Sequence, residues 1–195
     1  MSKNIKYDRE DVIQKATNLY WEKGFHGTSM RNLQDVIDMR PGSIYATFGS
    51  KEGLYKEALQ HYSAQGHFLL ESCLKSDLTP INTLKSFIKN LIIGRSDNAP
   101  SCMCMLVKTV SELTEENHEL LSEAKNLLNA MEKTFASVLE QAQNNGELDK
   151  TKDVNAIARY LQIQLMGLRT YLHVNHSSED EVDALIEDLF ARAFI

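Results

Sequence analysis

The stretch TSMRNLQDVIDMRPGSIYATFGS, residues 28 to 50, places two short apolar patterns of helical spacing on either side of a proline. Met30, Leu33, Val36 and Ile37 share one side of a helix about two to three turns long, which either Thr28 or Ser29 can cap. After Asp38, Met39 and Arg40 comes Pro41, whose fixed φ and missing N–H suit the first position of a second helix. Gly49 breaks that second pattern. Two short helices joined by a tight turn form a helix-turn-helix.

The remainder of the chain also reads with helical period, and no run of alternating β-branched residues bounded by hairpin turns occurs. The spacing therefore predicts an all-α fold. Asp8 is an N-cap for a first helix, with Tyr7 and Val12 placed as a hydrophobic staple. Its buried stripe is Val12, Ile13, Ala16, Leu19 and Tyr20, and Gly24 ends it. Ser50 caps a long helix through Leu54, Tyr55, Ala58, Leu59 and Tyr62 into the seventies. Thr79 and Pro80 restart the chain as a helix to about Gly94, and Pro100 with Ser101 starts another. A helix from Glu115 to Asn145 carries Leu120, Leu121, Ala124, Leu127, Leu128, Met131, Phe135, Val138 and Leu139 on one face. Two last helices are expected at 153–174 and 178–195.

Charge separates the chain into two parts. The net charge is -6. Residues 1–60 hold nine Lys and Arg against eight Asp and Glu, a balance of +1, which leaves -7 for the rest. A phosphate-binding role therefore belongs to the N-terminal part, because phosphate contacts rest on Lys and Arg. The apolar runs fall far short of the roughly 20 residues of a membrane span, and no signal-peptide pattern opens the chain, so a cytoplasmic protein with no membrane partner is expected. Three irregularly spaced cysteines do not make a disulfide framework. Nucleophile elbows, zinc-type spacings, phosphate loops and paired carboxylates are absent in context, so neither an enzyme nor a cofactor or metal site is expected. The rival class is a helical interaction protein without DNA binding.

Within residues 28–59, the segment GSIYATFGSKEGL resembles the DNA-binding region of TetR-family transcriptional regulators. The likeness covers about the first 60 residues at motif level, and the later helices agree in number and length. It implies an N-terminal three-helix helix-turn-helix DNA-binding domain, 1–49, followed by a larger helical effector-binding and dimerisation domain, 50–195. A recognition helix exposes small and polar side chains toward base edges and buries its other face. Arg40, Pro41 and Ser43 meet the first need; Ile44 and Phe48 meet the second. Arg40 is the candidate for a guanine edge. Tyr45, Thr47, Lys51 and, on the other side, Thr28 are the candidates for phosphates. Lys3 and Lys6 are candidates for an extending arm, with a solubilising tail as the other reading. The sequence departs from the usual family pattern at Gln34, Ile37, Asp38 and Arg40. Asp38 still tolerates the left-handed conformation that the turn requires.

The resemblance further implies a homodimer through the last two helices on a palindromic double-stranded operator, and a small-molecule effector in a cavity of the middle helices. Phe68, Phe87, Met105, Met131, Phe135 and Tyr171 are candidates to line that cavity; plain core is the alternative for each. The stretch APSCMCMLVKTVSEL adds a second possibility. In a helix beginning near Ser101, Cys102 and Cys104 point about 200° apart, which separates them. Cys104 would sit in the first turn, with Lys108 one turn on, and both effects favour a thiolate. The order Cys-x-x-Val-Lys also resembles electrophile- or oxidant-sensing members of the family, so thiol sensing by Cys104 is the alternative to a small-molecule effector. Cys102 reads as packing.

Overall fold

A computed structural model describes residues 7–93, 99–175 and 177–194. Among them are nine α-helices, one short 3-10 turn and no strand. Lys3, Lys6 and Gly94 lie outside the described residues. The helices are α1 (Arg9–Lys23), α2 (Met30–Ile37), α3 (Pro41–Phe48), α4 (Lys51–Leu74), α5 (Pro80–Ile92), α6 (Met105–Glu112), α7 (His118–Asn144), α8 (Val154–Val174) and α9 (Glu179–Ala193). No helix of the described residues is long and apolar enough to cross a membrane.

The local signals account for most of these boundaries. Asp8 caps α1 by accepting from the Glu10 N–H, and Ser29 closes a reciprocal capping box with Asn32 at the start of α2. Pro41 and Pro80 occupy the first turns of α3 and α5. Ser178 makes a second capping box with Glu181 for α9. The α2–α3 turn contains Asp38 at φ 52°, ψ 43°, the left-handed conformation that its short polar side chain tolerates.

Two sequence expectations fail. Val36 is 40% exposed, so α2 buries only Leu33 and Ile37. The helix expected from Ser101 starts instead at Met105. Its start is displaced because Ser101 Oγ accepts from the Met103 N–H, forming a local turn. In addition, the Cys102 carbonyl accepts from Arg169 Nε at 3.2 Å instead of from a helical amide. The buried face of α6 is accordingly Met105, Leu106 and Thr109, with Leu113 just beyond it.

The chain forms two compact units that do not follow a single cut in the sequence. One takes residues 1–64 and 105–125; the other takes 65–104 and 126–195. In the first, Leu33, Ile44, Leu54, Ala58 and Leu59 are fully buried around an aromatic group. Tyr55 lies at its centre, edge-on to Tyr20 at 4.7 Å and to Phe25 at 5.0 Å between centroids. The second has a predominantly aliphatic core in which Leu84, Ile88, Leu139, Leu161 and Phe190 are closed off from solvent, and Phe87 meets Phe135 edge-on at 5.8 Å.

Candidate DNA-binding and effector sites

The recognition helix α3 is amphipathic in the sense that groove binding requires. Ile44 and Phe48 anchor it at 0% and 7% exposure, while Arg40, Pro41, Gly42, Ser43 and Ala46 are exposed and Tyr45 is 48% exposed. Arg40 occupies the N-cap position without capping through its side chain, which leaves the guanidinium on the outer surface. Thr47 is half-buried and its hydroxyl shares a 2.9 Å hydrogen bond with the Tyr7 hydroxyl. This bond ties the start of the described chain to the recognition helix.

The other two phosphate candidates point inward. Thr28 is fully buried, and its hydroxyl donates to the Gly24 carbonyl at 2.7 Å, so it stabilises the loop and presents nothing outward. Lys51 Nζ donates to the Phe25 carbonyl at 2.7 Å and stands 4.3 Å from the centre of the Phe25 ring. Partial burial lowers its pKa, opposed by the nearby Glu52 and Glu112 carboxylates. Both side chains thus tie down the loop before α2. No residue pattern signals these ties, because the partners are backbone carbonyls.

Gly53 explains part of the motif physically. A Cβ there would run into the Phe48 carbonyl oxygen, so the close passage of α4 past the end of α3 requires glycine. Ser50 Oγ accepts from the Gly53 N–H at 3.1 Å and completes the start of α4.

Sequence reasoning missed the residues that hold the α1–α2 loop. Glu112, at the end of α6, accepts from the backbone N–H of Phe25 at 3.0 Å and of His26 at 2.7 Å. One turn earlier, Lys108 Nζ donates to the carbonyls of Trp21 at 2.7 Å and Glu22 at 3.0 Å, the negative end of the α1 dipole. Gly24 lies between them at φ 76°, and a Cβ on it would stand 2.5 Å from the Glu112 carboxylate. Tyr55 is buried beneath the loop; its hydroxyl is 2.7 Å from Thr109 Oγ1, and burial pushes its pKa up to about 12. Burial also raises the Tyr20 pKa above its ordinary value, and its hydroxyl donates to the Lys51 carbonyl at 3.2 Å.

Of the two arrangements expected to activate Cys104, the pairing with Lys108 does not form, because the Lys108 ammonium is committed to the α1 carbonyls, with its pKa lowered by burial; Cys104 stands immediately before the first residue of α6. Cys104 is half-buried and Cys102, expected to be packing, is exposed.

In the second unit a cavity of about 570 Å³ lies among α5, α8 and α9. None of the six residues expected to line an effector pocket borders it. Phe87 and Phe135 are fully buried core, Met105 is buried in the other unit, and Phe68 is 68% exposed on α4. Met131 is half-buried on α7. Tyr171, 54% exposed, borders a separate crevice between α8 and α9.

Comparison with known proteins places this architecture. The description "Bacterial regulatory proteins, tetR family" matches residues 12–58, and "Tetracyclin repressor-like, C-terminal domain" matches residues 80–185. The chain belongs to the TetR family and is a DNA-binding transcriptional regulator. That family acts as dimers with small-molecule effectors. The transcriptional repressor ComR of Escherichia coli (strain K12) is 25% identical, over 83% of this chain and 78% of its own length. Among solved structures, a cysteine mutant of the TetR-family regulator CifR bound to 26-bp operator DNA superposes with a TM-score of 0.87 at 23% identity, covering 100% of both chains. The reduced form of NemR from E. coli gives a TM-score of 0.76 at 20% identity, over 95% of this chain and 94% of that one. At such identities the two structures speak for the fold.

Proposed function

We propose that the chain is a repressor that binds a palindromic operator as a two-fold dimer and leaves it when a small molecule occupies the larger unit. The observation that carries this reading is α3, which presents Arg40, Ser43 and Tyr45 outward from a helix anchored by Ile44 and Phe48. One such helix makes few base contacts, so two half-sites read by a dimer supply the specificity. The outer face of α8 and α9 supports that assembly: Ile163, Tyr171, Val174 and Leu185 are 58%, 54%, 75% and 37% exposed. Exposed apolar surface of this kind marks a contact surface. Release follows if the effector prefers the dimer shape that does not fit the operator.

A salt-dependent gel shift with the upstream region of the chain's own gene tests the reading. Arg40→Ala and Tyr45→Ala should each weaken binding roughly tenfold without lowering the melting temperature, because both side chains are exposed. Lys51→Ala should lower melting temperature and affinity together, since it removes the tie to Phe25. Unchanged operator affinity in an Arg40→Ala, Tyr45→Ala double variant would overturn the assignment of α3 as the reading surface.

A further inference from the structure

The recognition helix has two flanks as well as an outer face. Measured from the middle of its buried pair Ile44 and Phe48, Tyr45 and Thr47 each stand about 80° away, on opposite sides of α3. A helix in the major groove turns its outer face to base edges and its two flanks to the two sugar–phosphate walls. Tyr45, 48% exposed, supplies a hydroxyl to one flank. With Thr28 and Lys51 committed inward, the second flank depends on what stands beside Thr47.

That neighbour is Tyr7, the residue just before the N-cap of α1. The two hydroxyl oxygens are 2.9 Å apart, and Tyr7 is 40% exposed while Thr47 is half-buried. Each hydroxyl carries one proton, so their mutual bond uses one O–H and leaves the other to donate elsewhere. Neither hydroxyl has another partner among the described residues. A phenolic O–H is a better donor to an anion than an aliphatic one, and Tyr7 is the more exposed of the pair. The start of α1 is also held against α3. Arg9 pairs with Glu57 of α4 at 2.7 Å and sets its guanidinium 5.5 Å from the centre of the Phe48 ring, while Asp8 caps the helix between Tyr7 and Arg9.

We infer that Tyr7 is a DNA-contacting residue: its hydroxyl donates to a phosphate oxygen on the strand opposite the one that Tyr45 meets, and Thr47 is a positioning residue that donates to the Tyr7 oxygen. A hydroxyl on a phosphate makes a charge-assisted hydrogen bond, roughly twice as strong as a neutral one. The bond received from Thr47 orients the Tyr7 O–H and polarises it further. Such a contact reads no base; it fixes the register and tilt of α3 in the groove, so that Arg40 and Ser43 meet the base edges. The inference rests on the reading of α3 as the operator-reading helix and adds a residue from outside the helix-turn-helix to its grip.

Gel shifts of the full chain with the upstream region of its own gene test this. Tyr7→Phe, which keeps the ring, should weaken binding about tenfold, the loss of one hydrogen bond to a charged group. Thr47→Val leaves the outward donor in place and should cost only about twofold to threefold, and the double variant should cost no more than Tyr7→Phe alone. Unchanged affinity in Tyr7→Phe, or a larger loss in Thr47→Val than in Tyr7→Phe, would overturn the inference. Duplexes with single methylphosphonate linkages, stepped through a half-site, separate a phosphate contact from a packing role. At one linkage the unaltered chain should lose affinity while Tyr7→Phe loses nothing further; if no linkage behaves so, the contact does not exist. The same scan decides the matter should Tyr7→Phe prove less stable. The Arg40→Ala, Tyr45→Ala double variant separates the two levels. If it loses the operator while Tyr7→Phe keeps it, α3 stands as the reading helix and the Tyr7 contact fails. If it binds as well as the unaltered chain, the reading of α3 fails and takes the Tyr7 contact with it.

Discussion

In the unit that carries the recognition helix, Lys and Glu side chains clasp backbone atoms around the α1–α2 loop, beside surface pairs such as Arg9–Glu57; in the larger unit, α5 is tied to α9 by surface ion pairs over an aliphatic core, although Gln143, Gln162 and Arg169 also reach backbone carbonyls. Lys51, Lys108, Glu112, Thr28 and Tyr20 all spend their polar atoms on main-chain partners in the first unit. In the second, Lys85 pairs with Glu187 at 2.6 Å, Lys89 with Asp183 at 2.7 Å and Arg192 with Asp188 at 2.7 Å, all with substantial solvent exposure. Hydrogen bonds involving a charged group and a protected backbone partner contribute about 1.5–3 kcal/mol, whereas exposed ion pairs contribute about 0–1 kcal/mol. The contrast fits the tasks. A helix that must match a groove needs its loops fixed, while a unit that accepts a ligand can keep a cavity and still be held by apolar burial.

The largest expected effect is in the second unit. Phe135→Ala, at a fully buried position packed on Phe87, should cost about 3–5 kcal/mol in urea unfolding, from lost burial and the cavity left behind. A loss well under that would mean that the aliphatic core is not what holds this unit. Next comes Glu112→Ala, which strips the Phe25 and His26 amides of their acceptor. It should cost about 2 kcal/mol and weaken operator binding as the loop before α2 loosens. Glu112→Gln should fall between, keeping one acceptor oxygen; unchanged stability in Glu112→Ala would remove the clasp from the account. Smallest is Lys85→Ala, which breaks a pair whose Glu187 side is 66% exposed and should change stability by less than about 1 kcal/mol. If Lys85→Ala cost as much as Glu112→Ala, the distinction between the two units would not hold.

Legibility in the sequence follows distance along the chain and not the division into units. Caps, prolines and apolar spacing located α1 to α5, α8 and α9, because those signals act within a few residues. The exposed and buried faces of α3 were readable for the same reason. The start of α6 was not, since Arg169 draws on the Cys102 carbonyl from 67 positions away. Lys108 looked like a neighbour for Cys104 and is in fact the C-terminal partner of α1. Thr28 and Lys51 have the right chemistry for phosphate, and only their distant geometry shows that it is used inside. The buried Arg169 lay in a helix whose period marked it simply as one residue among leucines.

The split of the first unit between residues 1–64 and 105–125 has a consequence for how the protein comes into being. The Phe25 amide waits for a carboxylate 87 positions later in the chain, and the Tyr55 hydroxyl for a threonine 54 positions later. Contacts of such separation close late, because the intervening loop must lose its freedom first. On a ribosome the recognition helix emerges well before the parts that secure it, so a nascent or prematurely ended chain displays a DNA-reading surface on an unfinished support. A chain that ends before Glu112 therefore lacks the carboxylate that holds the Phe25 and His26 amides, and its recognition helix stands beside a loop without that tie.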